Sequence, residues 1–126
     1  MTKIFKISNL HLAISAVIVL AMAFIYGFQP NLLFDVSINS LDESNIFKAT
    51  MGLYISFGSL WMLGVFNQNY WKTASISNMI FMIGLGFGRL VSIIIDGIPC
   101  HLFVLGTVGE LILGFYAFYQ LKFNKK

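Results

Sequence analysis

Charge is scarce in this sequence. Eight basic and five acidic side chains make up 10% of 126 residues, where a soluble domain carries about a quarter. Cysteine occurs once, at Cys100. One cysteine excludes an intramolecular disulfide and any paired-cysteine metal motif, and with His101 it is too small a set for a zinc site. Only two prolines occur, Pro30 and Pro99, and both fall where an apolar run stops. No basic stripe with interleaved aromatics is present, so the net charge of +3 is not the footprint of a nucleic-acid binder. No P-loop, dinucleotide fingerprint or Ser-His-Asp arrangement is found, since Gly84, Gly86 and Gly88 lie within an apolar run. What the chain has instead is apolar bulk: 58% hydrophobic residues and a mean hydropathy of +0.83. A soluble chain of this length could not bury that much apolar surface, and lipid is the solvent that suits it.

Four apolar runs follow one another, and the pattern predicts an all-α, integral membrane four-helix bundle formed by residues 1–126 as one domain. The expected spans are 8–28, 47–66, 76–96 and 101–121. A crossing of about 30 Å at about 1.5 Å per residue needs some twenty residues, as each run supplies. Thr2 is a candidate cap for the first helix. Lys3 and Lys6 before an apolar run, with Ala21-Met22-Ala23 inside it, also resemble a signal peptide. The run continues to Phe28, however, and Ser8, Asn9 and His11 suit a membrane span better. His11 and Ser15 lie four apart on one face, and the expectation for His11 is a plain contact at a helix end. Ser40-Leu41-Asp42-Glu43 fits a capping box, so the second helix is expected from about Leu41 to Phe66, longer than a span. Thr73 or Ser75 is expected to cap the third helix. Gly97 and then Pro99 are expected to end it.

Small residues recur at four-residue spacing: Gly52 with Ser56, Gly84 with Gly88 and Ser92, and Gly106 with Gly114 around Glu110. Such stripes are expected helix-packing faces. Lysines set the orientation. Lys3 and Lys6, Lys72, and Lys122, Lys125 and Lys126 all fall on one side of a four-span protein. The loop acids Asp35, Asp42 and Glu43 fall on the other, with Lys48 at most. By the positive-inside rule both termini are cytoplasmic.

Two charges stand inside consecutive apolar runs. Arg89 lies eight positions before Gly97, and Glu110 eleven after Pro99. Both would sit about 12–17 Å from the turn, close enough to pair. A charge at mid-bilayer costs about 2.5–3.5 kcal/mol, and facing inward as a pair offsets much of it. A buried Arg89–Glu110 ion pair is therefore expected. Lys48, Ser92, Asp96 and His101 are expected to form a second polar layer nearer the outer surface, lining the mouth of an outward-facing cavity.

Gly88-Arg89-Leu90, Ser92, Asp96-Gly97, Pro99 and Glu110 together resemble the signature of the bacterial membrane family catalogued as domain of unknown function 4345. The resemblance covers nearly the whole chain and implies a four-helix membrane protein, without a known activity. Lys48-Ala49 and Gly52 fill the places where that family opens its second helix with a basic residue and a glycine-rich segment. The family pattern has arginine, then a tyrosine and a glycine pair; here Lys48, Met51, Gly52 and Leu53 stand there, and lysine lacks the planar fork of arginine. More loosely, the architecture is similar to that of DoxX-like membrane proteins, some of which serve redox or assembly tasks.

The functional expectation is a bacterial inner-membrane protein holding a small amphiphilic or anionic molecule, a lipid headgroup or a quinone, in a pocket built on Arg89 and Glu110. The alternatives are an assembly subunit packing against another membrane protein, and a small oligomeric transporter. No nucleophile or acid–base set marks an enzyme, and no cofactor or metal is called for. The expected partners are the bilayer, a lipid or small amphiphile, and a membrane protein or second copy.

Overall fold

The computed structural model describes residues 7–33 and 36–123. Thr2, Lys3, Lys6, Asp35, Lys125 and Lys126, which enter the expectations above, lie outside the described residues. Four helices account for most of the rest: α1 (Leu10–Phe28), α2 (Leu41–Phe66), α3 (Trp71–Asp96) and α4 (His101–Phe123). Single turns of tighter helix precede α1 at Ile7–Asn9 and α3 at Gln68–Tyr70. All four are long and apolar enough to cross a membrane.

Local chemistry sets the ends. Ser40 caps α2, its hydroxyl accepting from the Glu43 amide at 3.1 Å. Glu43 reaches back one residue further than a capping box would, accepting from the Asn39 amide at 3.2 Å. The start of α3 differs from expectation. It begins at Trp71, following a turn capped by the Asn67 side chain, and Ser75 turns inward to another helix instead. Gly97 ends α3 with φ of 108°, a conformation a side chain would strain.

The helices pair as two antiparallel hairpins, α1 with α2 and α3 with α4, joined along an α2–α3 seam. Glycines mark the closest approaches. A Cβ on Gly58 would strike Leu20, and one on Gly27 would strike Met51. On the other hairpin, Gly86 lies against Leu111, and Gly114 against Ile83. In each hairpin one number falls as the other rises, as antiparallel packing requires.

Across the bundle α1 and α3 run parallel, in fixed register. The Trp71 indole donates to the Ser8 carbonyl at 2.9 Å, His11 Nε2 bonds Ser75 Oγ at 2.9 Å, and Arg89 Nη2 donates to the Tyr26 hydroxyl at 3.1 Å. The sequence separations are 63, 64 and 63.

Polarity is inverted relative to a soluble protein. His11, Ser15, Ser75 and Asn78 are wholly buried, while Ile94 is 81% and Ile95 73% exposed. Apolar outside and polar inside is the arrangement a bilayer favours, because lipid offers hydrogen bonds to nothing. Length, hydropathy and this inversion together define a multi-pass membrane protein. Between the two polar ends lies an aromatic core in which Tyr54, Phe57 and Trp61 of α2 pack on Phe81 of α3.

Candidate functional site: a cavity walled by an ion pair

Arg89 on α3 and Glu110 on α4 are brought together by the tight turn at residues 97–100. The Arg89 Nε–H donates to Glu110 Oε1 at 2.9 Å and to Oε2 at 3.2 Å. Tyr26 on α1 accepts from the same guanidinium, and the Phe103 ring lies 5.0 Å from its Cζ. Four contacts from two neighbouring helices, α1 and α4, thus fix one cation on α3. Tyr26 in turn meets Tyr54 edge to face, with ring centres 5.5 Å apart.

The pair forms, but the expectation that it is buried is corrected. The Arg89 and Glu110 side chains keep 21% and 14% of their surface. The reason is a cavity of about 320 Å³ into whose wall both are built. It lies between α1 and α4, which touch little, over a floor of α3. Ile18 and Met22 of α1, Met82 and Leu85 of α3 and Leu105 and Leu113 of α4 make it largely apolar. Tyr26, Tyr54, Arg89 and Glu110 gather its polar groups.

The second polar layer is not assembled. Lys48 Nζ donates to the Gly27 carbonyl at 3.2 Å and the Ser44 hydroxyl at 3.1 Å, and lies over the Phe28 ring. It closes the end of α1 rather than meeting Asp96. Asp96 instead accepts from the Ser92 hydroxyl one turn earlier at 3.0 Å. His101 is exposed at the start of α4. None of these four lines the cavity. Among the described residues, no group of three His, Cys, Asp or Glu side chains could hold a metal ion.

Of the small residues expected to pack helices, Gly114 does so, and Gly106 meets only Glu110 of its own helix, at 4.0 Å. Gly52, Gly84 and Gly88 have nothing near a would-be Cβ. Ser56 is exposed, its hydroxyl returned to the Gly52 carbonyl. The close approaches fall instead at Gly27, Gly58, Gly64 and Gly86, as well as Gly114.

Sequence reasoning missed Tyr26, Tyr54 and Phe103 as site residues. His11 does stand at a helix end, in the first turn of α1, and makes a contact as expected, but it is completely buried, bonded to Ser75 of α3 and stacked on Tyr116 with ring centres 5.8 Å apart.

This is therefore a four-helix membrane protein with a largely apolar cavity between its first and last helices, into whose wall an ion pair is built. The chain belongs to the family described as Domain of unknown function (DUF4345), which it matches over residues 7–121. No curated protein and no solved structure matches it.

Proposed function

We propose that this protein binds a small amphiphilic molecule in the cavity between α1 and α4, with the polar head at Arg89 and Glu110 and the apolar part along Met22, Met82 and Leu113. The observation that carries this reading is the exposure of the ion pair within an otherwise apolar cavity. A pair serving only to lock two helices would be best sealed, since water at its edge weakens it. At about 320 Å³ the cavity is at the small end of ligand sites, which run about 300–1,000 Å³. The setting in this proposal is a bacterial inner membrane with both termini cytoplasmic, supported by the placement of the lysines. The test is photocrosslinking in native membranes with a diazirine-bearing single-chain amphiphile. Label on α1 and α4 peptides holding Met22 and Leu113, lost in Arg89→Ala, is expected. Label spread evenly over the lipid-facing surface would overturn the proposal.

A second reading, as an assembly subunit, is favoured by Gly84 and Gly88, which are exposed with no neighbour within 4 Å of a would-be Cβ among the described residues. Crosslinking from Phe87, exposed beside them, would then capture one reproducible protein partner.

A further inference from the structure

Resting on the reading of the cavity as an amphiphile site, we infer that its ligand has an uncharged head bearing an acceptor oxygen, on a single chain or ring. A carbonyl in an ester or in a quinoid ring meets that description; a phosphate or carboxylate head does not.

The argument is charge balance. Among the described residues one cation and one anion face the cavity, Arg89 and Glu110. They neutralise each other through both carboxylate oxygens. The remaining polar side chains in the wall are the phenols of Tyr26 and Tyr54. Lys48 is turned to the Gly27 carbonyl and Asp96 to Ser92, so neither supplies a further charge. An anionic head would bring a third charge into an apolar site. It would stay uncompensated, or it would displace Glu110 and leave that carboxylate without its cation. Both outcomes are costly where water is scarce.

A neutral acceptor meets no such penalty. Arginine carries five N–H donors in a fixed fork. Glu110 engages Nε, Tyr26 engages one at Nη2, and the Tyr54 hydroxyl lies within reach of one more. Donors beyond these can reach a carbonyl oxygen without disturbing the pair. The Phe103 ring lies against the guanidinium, 5.0 Å from its Cζ. Size argues the same way, because a cavity of about 320 Å³ takes one chain segment or one ring rather than a two-chain lipid. The gap between α1 and α4 opens the site sideways, so an uncharged ligand could enter from the bilayer without carrying charge through it.

The test compares three ligands with the same ten-carbon chain, measured by calorimetry on the protein in nanodiscs: a decyl benzoquinone, decanoylglycerol and decyl phosphate. At least one uncharged ligand is expected to bind about tenfold or more tighter than decyl phosphate, and the stronger of the two tells a ring from an ester source. Glu110→Gln, which unmasks the Arg89 charge, should tighten decyl phosphate by about tenfold. Should that variant not fold, the wild-type ranking decides alone. Decyl phosphate binding as well as or better than both uncharged ligands overturns this inference while leaving the amphiphile site standing. Saturable binding of none of the three overturns the site and the inference together.

Discussion

Arg89 is held by a carboxylate, a phenol and an aromatic face, and each matters differently. Removing Glu110 leaves a partly buried cation in an apolar wall; removing Arg89 leaves an anion there. Arg89→Met and Glu110→Met should each lower the melting temperature, and the double variant should recover part of the loss. A double-mutant cycle should return a coupling of about 0.5–3 kcal/mol; simple additivity would show that the side chains do not act as a pair. Lys48 at the end of α1 has a smaller role. Lys48→Met should cost about 0.3–1 kcal/mol, the usual worth of a cation at a helix C-terminus, and should leave ligand binding unchanged. The two central charges were legible in the sequence because ionisable residues in apolar runs are conspicuous. Tyr26 was not. A tyrosine near the end of a span reads as an interfacial anchor, and its contact with Arg89 crosses 63 residues. Lys48 and Asp96 were placed together because charge alone was counted, whereas nearer hydrogen-bond acceptors and donors satisfy each.

Helices meet in this molecule where glycine lets them, and spacing alone does not say which glycines those are. A Cβ on Gly114 would lie 2.5 Å from Ile83 Cγ1 and 3.1 Å from the Ile83 backbone nitrogen. Backbone cannot yield as a side chain can, so Gly114→Ala should destabilise by about 1–3 kcal/mol. Gly84→Ala meets nothing within 4 Å among the described residues. It should be neutral, or stabilising by about 0.5–1 kcal/mol through helix propensity. Thermal unfolding of the two variants side by side checks the contrast; a loss at Gly84 matching that at Gly114 would reveal a neighbour from outside the chain. The ends of α2 were legible down to the Ser40 cap, because capping is local chemistry. The start of α3 was not, because Ser75 had two uses and the tertiary one prevailed: its hydroxyl bonds His11 across the bundle. That bond is one rung of the α1–α3 register. Ser75→Val should cost about 0.5–1.5 kcal/mol, and Ser75→Thr, keeping the hydroxyl, should cost less.

Taken whole, the bundle consists of two tight hairpins that close along the α2–α3 seam and stay apart at α1 and α4. The number of helices and their membrane character followed from hydropathy and length. The gap followed from neither, because it depends on how hairpins dock. The proposed orientation rests on the distribution of lysines along the sequence. In a Cys100→Ser background, Asn39→Cys should react with a membrane-impermeant maleimide from outside intact cells, and Asn69→Cys only after permeabilisation; the reverse pattern would invert the topology.

The central claim is that the cavity holds a molecule, and native mass spectrometry of the protein in lipid nanodiscs tests it most directly when wild type is compared with Leu113→Trp. That substitution fills the cavity from α4 and leaves Arg89, Glu110 and Tyr26 in place. The account predicts a stoichiometric adduct on the wild type that is absent from the filled variant at equal thermal stability. A bare wild-type protein, or an adduct that persists when the cavity is filled, would contradict it.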